Sequence, residues 1–194
     1  IGLQQLWLAK IRQAGYRLVG SLFQPLGNEE AGLESESAGL ESAVVQRHRT
    51  ALHRQSLSAP VQCLARNGFI SQDVSVFDYG CGRGDDIAAL RALGVEADGW
   101  DPHFRPESQR RKAHVVNLGF VINVIESVEE RVEALTSAFR LAESVLAVSV
   151  MLECDAPRRG TRFRDGYLTS RETFQKYYQP AELVAFLASV LDAE

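Results

Sequence analysis

Nine residues, Asp78-Tyr79-Gly80-Cys81-Gly82-Arg83-Gly84-Asp85-Asp86, hold the densest chemistry in the chain. Three glycines at every second position let a backbone turn adopt unusual φ values and let a ligand approach the main chain closely. Carboxylates stand on both sides of that turn. A loop that binds pyrophosphate reads G-x-G-x-x-G and offers a free helix N-terminus. Here the spacing is G-x-G-x-G, and Asp85 and Asp86 stand where the phosphate would go. Carboxylates at that place repel phosphate and favour a cationic ligand. The alternative is a tight strand-to-helix turn that binds nothing. A second acid, Asp101, follows 23 residues after Asp78. An acidic residue at about that distance binds ribose hydroxyls in nucleotide-type folds, where a carboxylate accepting two hydroxyls makes charge-assisted bonds. The alternative for Asp101 is a turn residue before Pro102.

The elements that must position these groups can be read on either side. Val74, Val76 and Phe77 suit a buried strand, and Ile87 to Leu93 has helical apolar spacing. Gly94 closes that helix, and Val95 to Trp100 reads as the next strand, with Asp101 at its end. Val115 to Phe120 is apolar without alternation, which predicts a central strand buried on both faces. Ser127-Val128-Glu129-Glu130 reads as a capping box. It should open a helix with Val132, Leu135, Phe139 and Ala142 inward, followed by a strand over Val145 to Met151. Alternating strands and helices from Val74 to Met151 imply an α/β fold with a mostly parallel sheet. Ahead of it, Ser58 can cap a helix over Pro60 to Arg66, which Asn67-Gly68 can end. Behind it, Pro180 starts a last helix with Leu183, Val184, Phe186, Leu187 and Val190 inward.

The run D-x-G-C-G-x-G resembles the first motif of the class I S-adenosylmethionine-dependent methyltransferases. That resemblance implies a Rossmann-like three-layer sandwich and S-adenosylmethionine as cofactor. Residue by residue it implies contacts from Asp78, Tyr79, Gly80, Cys81, Gly82 and Gly84, from Asp101 and Pro102, and from Leu118 and Gly119 near the methyl group. Asn123 and Glu126 stand where the family often carries a polar pair, so they are the candidate catalytic residues, with a turn or cap as the alternative for Asn123. No N/D-P-P-Y/F tetrapeptide of an amino-group DNA methyltransferase is present. Two departures concern the sheet. Only 13 residues separate Asp101 from Val115, so one edge strand should be missing or reduced. The family's final antiparallel hairpin is absent, unless the segment from Leu3 to Phe23 substitutes for part of it.

Five stretches together (HRTALHRQSLSAPV, VFDYGCGRGDD, GWDPHFRP, VVNLGFVINVIES and DGYLTSRETFQKYY) are similar to a methyltransferase family encoded beside DNA phosphorothioation genes. The likeness spans His48 to Leu191. It implies a DNA-modification or defence setting.

Three basic segments bear on partners: Arg47 to Arg54, Arg105 to Lys112, and Arg158 to Arg164. Arginines interleaved with aromatics over Asp155 to Tyr178, read as a loop-rich insert, suit DNA or RNA through phosphate contacts and base stacking. His48, Arg49, Arg54, Lys176 and Tyr177 are the candidate substrate contacts; a solvated helix face and an ordinary surface loop are the alternatives. The net charge of −4 does not itself announce a nucleic-acid binder.

The remaining bounds are coarse. The chain has 194 residues, long enough for one domain with a real core. Residues 1–26 read as a helix and a strand, 27–44 as an acidic low-complexity linker repeating AGLES, and 45–194 as the cofactor-binding domain. No apolar run suits a membrane span and no Cys/His spacing suits zinc. Three scattered cysteines point to reduced thiols and a cytoplasmic setting. The chain opens at Ile1 and its single methionine is Met151, which suggests a processed or partial chain. Replacing Asp101 by Ala should weaken binding of S-adenosylmethionine by about 1–3 kcal/mol, the scale of a charged hydrogen bond. Titration calorimetry showing unchanged affinity would contradict that role.

Overall fold

The computed structural model describes residues 16–19, 22–25, 45–54, 56–154 and 160–191. The chain forms two compact units, Ile1–Ser42 and Ala43–Glu194. The first contains an antiparallel hairpin of β1 (Tyr16–Val19) and β2 (Leu22–Pro25). The single strand expected there is therefore two. The expected helix at 3–14 and the linker at 27–44 lie outside the described residues.

The second unit is built on a four-stranded parallel sheet. Its strands are β3 (Val76–Tyr79), β4 (Ala97–Trp100), β5 (Ala113–Gly119) and β6 (Ala142–Ser149), in the order β4-β3-β5-β6. Successive residues of a strand point to opposite faces. Val76 and Val115 accordingly face α1 (Ala59–Arg66) and α2 (Asp85–Ala92), where Val61, Leu64, Ile87 and Leu90 complete one core. Phe77, Val116 and Leu118 face α3 (Val128–Leu141) and α4 (Pro180–Leu191), where Leu135, Ala138, Tyr178 and Val190 complete the other. The result is the expected α/β Rossmann-like sandwich.

The expected edge strand after Asp101 is missing. Residues 102–112 run as turns, and Arg111 pairs with Asp98 of β4 at 3.0 Å while Arg110 lies 4.0 Å over the ring of Trp100. Two arginines thus cover the outer edge of β4 where a third strand would pair.

Several expectations need correction. Residues 160–178 are not simply loop but carry an antiparallel meander, β7 (Thr161–Phe163), β8 (Gly166–Leu168) and β9 (Phe174–Gln175). Strands this short show no readable period. The inward stripe of α3 is Arg131, Ala134, Leu135 and Ala138, and Phe139 stays 40% exposed. Arg131 reaches the interior because its charge is matched there: both terminal nitrogens bond Asp165, at 2.5 and 2.7 Å, and Nε donates to the Ile125 carbonyl. Val184 of α4 is exposed rather than inward. The capping box is half made: Ser127 Oγ accepts from Glu130 N at 3.3 Å, but the Glu130 carboxylate turns away to Arg47. Ser58 stands at the N-cap of α1 without a side-chain cap bond. No helix of the described residues is long and apolar enough to cross a membrane.

The Arg131–Asp165 pair, joined by Lys176 Nζ at 3.2 Å from Asp165, fastens the meander to the core. Asp165→Ala removes the carboxylate that both terminal nitrogens of buried Arg131 bond, while Lys176 keeps Glu182, and should cost about 3–5 kcal/mol. Urea unfolding checks this, and a loss below about 1 kcal/mol would contradict it.

Candidate functional site

The site begins in the register of the sheet. Gly99, Asp78, Asn117 and Ala147 lie side by side on β4, β3, β5 and β6. Cross-strand partners share a face, so this row lies beneath α1 and α2 near the C-terminal ends of the strands. Asp78 is buried, and Asn117 Nδ2 donates to its Oδ1 at 2.8 Å. Among the described residues no Lys or Arg forms an ion pair with it. Burial pushes its carboxyl up to about 7; the Asn117 hydrogen bond and the more distant charge of Arg54 oppose that, and the carboxylates of Asp86 and Asp101 add to it. Asn117 Oδ1 is buried without a partner. Gly99 is obligatory in this row, because a Cβ there would lie 2.5 Å from the Asp78 carbonyl oxygen and 2.8 Å from Ile87 Cδ1.

The turn after β3 uses its glycines as expected. Gly80, Gly82 and Gly84 all have left-handed φ, between 54° and 84°, and Gly84 is the N-cap of α2. Asp101 organises the turn: its Oδ2 accepts from Gly82 N at 3.0 Å, and its Oδ1 accepts from His103 N and Phe104 N at 2.9 Å each. A carboxylate has about four acceptor sites. Three are taken by backbone amides, which leaves one for a ribose hydroxyl rather than the two expected. The turn-residue reading of Asp101 is what these bonds show.

Asp85 and Asp86 do something the sequence did not announce. Asp85 Oδ2 accepts from Arg54 N at 2.6 Å and lies 3.0 Å from His53 Nδ1. Asp86 Oδ1 accepts from Ser58 N at 2.6 Å. Together they hold residues 45–54 and 56–58 across the glycine turn as a strap, and a Cβ on Gly82 would sit 3.2 Å from Ala51 Cβ. Arg47 latches the strap's other end. It bonds both oxygens of Glu126 at 2.8 Å, and Glu130 at 2.5 and 3.0 Å. Arg49 pairs with Glu172 at 2.8 Å, and His48 stacks on His103 at 4.2 Å.

The remaining candidates fall into three groups. Gly119 stands beside Asn117 and Pro60 at the end of β5. Tyr79 and Leu118 have buried side chains, so they can offer a ligand only backbone; Tyr79 packs on Trp100 at 5.1 Å. Cys81 is half-buried in the turn, and burial pushes its thiol up to about 12, so it is no nucleophile. Pro102 is exposed in the turn that Asp101 starts. Lys176 is taken out of the substrate surface: it is buried and paired with Asp165 and Glu182. Tyr177 is half-buried, its ring 6.2 Å from that of Tyr167. Of the catalytic candidates, Asn123 is buried with Oδ1 unpartnered, and Glu126 is committed to Arg47.

Sequence reasoning missed the role of Asn117 as partner of Asp78, and those of Gly99, Arg47 and Arg105. The Arg105 guanidinium lies over the turn, 2.9 Å from where a Gly84 Cβ would be, and Val121 lies against Gly80. Phe120, which follows β5, has φ 59°, a left-handed conformation that aromatic residues rarely adopt. It lines an open depression of about 380 Å³ with Pro60, Val148, Leu152 and Leu183.

No family model and no curated protein sequence matches the chain. Among solved structures, the 1,6-didemethyltoxoflavin-N1-methyltransferase of Burkholderia thailandensis, with bound 1,6-didemethyltoxoflavin and S-adenosylhomocysteine, is similar with a TM-score of 0.51 at 15% identity. That similarity covers 75% of this chain and 67% of the other. The CcbJ methyltransferase of Streptomyces caelestis gives 0.49 at 13% identity, over 74% of this chain and 82% of that one. The likeness to the Burkholderia enzyme is one of fold: the parallel core is of the Rossmann-like methyltransferase type.

The buried acid predicts a pH dependence. Folded Asp78 keeps its proton to about pH 7, whereas an unfolded Asp releases it near ~3.9. The folded state therefore binds more protons between these values, and stability falls as pH rises through that window and levels off above it. Asp78→Asn should raise stability at pH ~8 by about 1–4 kcal/mol and leave it nearly unchanged at pH ~4. Urea unfolding at the two pH values checks this; equal effects at both would contradict the assignment.

Proposed function

We propose that the chain is an S-adenosylmethionine-dependent methyltransferase that acts on nucleic acid, DNA or RNA, in a DNA-modification setting of the phosphorothioation-linked kind. The observation that carries the cofactor is the buried Asp78 carboxylate beside a turn of left-handed glycines, with no cation paired to it. An isolated buried carboxylate is costly, and a bound cation removes that cost. Asn117, whose Nδ2 bonds Asp78, leaves its Oδ1 buried without a partner, a second acceptor at the same place in the sheet.

The donor set fits the cofactor. S-adenosylmethionine brings an ammonium, a ribose and a methyl group on a sulfonium, which is already a good leaving group. Asp78, Asn117 Oδ1 and the backbone from Gly80 to Gly84 would receive the ammonium end. Asp101 has one acceptor site left for a ribose hydroxyl. The backbone of Leu118 and Gly119 would border the methyl-bearing part. Ala51, Arg105 and Val121 lie on the turn and would exclude water once they shift aside. Methyl transfer of this kind needs proximity, alignment and a dry site more than a strong acid or base. That suits a site in which Glu126 is tied to Arg47.

The bound S-adenosylhomocysteine of the Burkholderia enzyme supports the ligand class. Support for a nucleic-acid acceptor is the five-stretch sequence resemblance, together with Arg162 and Arg171, which no carboxylate pairs among the described residues. Three free cysteines suit a cytoplasmic setting. One observation favours a second reading, a non-catalytic module that binds or senses the cofactor: Asn123 is buried and Glu126 is ion-paired, so neither candidate offers an acid or base.

A transfer assay with tritiated S-adenosylmethionine on DNA, RNA and protein pools separates the readings. Label in a nucleic-acid pool is expected. Tight cofactor binding with no labelled product would favour the module, and no cofactor binding at all would overturn both.

A further inference from the structure

The meander has two faces with opposite commitments. Its ladders pair Arg162 with Tyr167 and Tyr167 with Gln175, so these three side chains form one row across β7, β8 and β9. Phe163 and Phe174 point the other way. Both are buried, their rings 6.4 Å apart, and the Arg131 guanidinium lies 5.4 Å from the centre of the Phe174 ring. A Cβ on Gly166 would strike Phe174, so glycine is what lets the inner ring lie flat. One face is thus spent on the core.

The outer face is held ready by that anchoring. Arg162 lies over the Tyr167 ring at 5.7 Å, and Tyr177 meets Tyr167 edge-on. Beside the row is a depression of about 530 Å³ lined by Thr169, Arg171, Thr173, Gln175 and Tyr177. Among the described residues no carboxylate pairs with Arg162 or Arg171. The nearby Glu172 is already bonded to Arg49. The face therefore carries two guanidiniums with no carboxylate on them among the described residues, a tyrosine ring with an arginine across it, and the Gln175 amide, whose Nε2 donates one hydrogen to Lys176 O at 2.8 Å and whose carbonyl can accept. Lys176 N donates to Asn123 O at 2.8 Å, and Gln46 N to Glu172 O at 2.7 Å, which fixes the face beside the segment after β5 and beside the strap.

We propose that the Arg162–Tyr167–Gln175 row, with Tyr177 and Arg171 at its side, is a docking platform for single-stranded nucleic acid. A base stacks on the Tyr167 ring, the guanidiniums meet the phosphates, and Gln175 bonds a base edge. Charge alone would suit any polyanion. A ring set in a row between a guanidinium and an amide suits an unpaired base, because stacking is open to every base while a duplex hides its faces. The proposal rests on the nucleic-acid reading above and goes further by placing the contact on the meander.

Fluorescence anisotropy with a labelled oligo-dT strand of about 12 nucleotides, and with a duplex of the same length, tests it. The wild-type chain should bind the strand more tightly than the duplex, and more weakly as salt rises from about 50 to 200 mM. Tyr167→Ala and Arg162→Glu should each lose about tenfold or more in strand affinity. Tyr167→Phe, which keeps the ring, should stay within about threefold of wild type. Calorimetry with S-adenosylmethionine should show the same cofactor affinity for all four proteins, which also certifies that the variants are folded. Strand binding that survives both Tyr167→Ala and Arg162→Glu would overturn the platform and leave the nucleic-acid reading standing. Equal affinity for strand and duplex would overturn base stacking. Binding of neither, with cofactor binding intact, would overturn the nucleic-acid acceptor itself and the platform with it.

Discussion

An acid held out of water, with no ion pair to it among the described residues, is the constraint on which the second unit turns. Asp78 lies in the middle of a parallel sheet, between a glycine on one neighbouring strand and an asparagine on the other. Gly99 makes room for it and Asn117 gives it a hydrogen bond, but neither neutralises it. Asp86 and Asp101 add further negative charge nearby. A fold that only had to be stable would replace Asp78 with an apolar residue or an amide. Keeping it there leaves, beside a glycine turn on which Ala51, Arg105 and Val121 lie, an acid whose burial a bound cation would relieve.

The other acids of the turn show how the same residue type serves a different purpose a few positions on. Asp85 and Asp86 lie in the first turn of α2, where a negative charge is favourable to the helix dipole. They spend their hydrogen bonds on the backbone and imidazole of residues 53–58, so the strap lies over the turn. They also occupy the helix end that a phosphate would need. One pair of side chains therefore covers the site and narrows what can enter it. Arg47, bound to Glu126 and Glu130 on the far side of the crevice, holds the other end of that cover.

What the sequence made legible was local in origin. The glycine turn, the helix after it and the loss of an edge strand between Asp101 and Val115 all follow from spacing along the chain. The pairing of Asp78 with Asn117 does not, since it depends on a register between strands 39 residues apart. The inward place of Arg131 does not follow from its type either, since it depends on a carboxylate 34 positions away. Lys176, expected as a substrate contact, is buried for the same reason. The meander was invisible because its strands have only two or three residues, too few for any alternation. The left-handed Phe120 carries no signal at all in the sequence, since nothing about its type suggests that conformation.

A crystal structure of the chain grown with S-adenosylhomocysteine tests the central claim most directly. The account predicts ligand density in the crevice of the glycine turn, its ammonium within hydrogen-bond distance of the Asp78 carboxylate and Arg105 drawn off Gly84. An empty crevice with Asp78 still capped only by Asn117, or a phosphate seated at the start of α2, would contradict it.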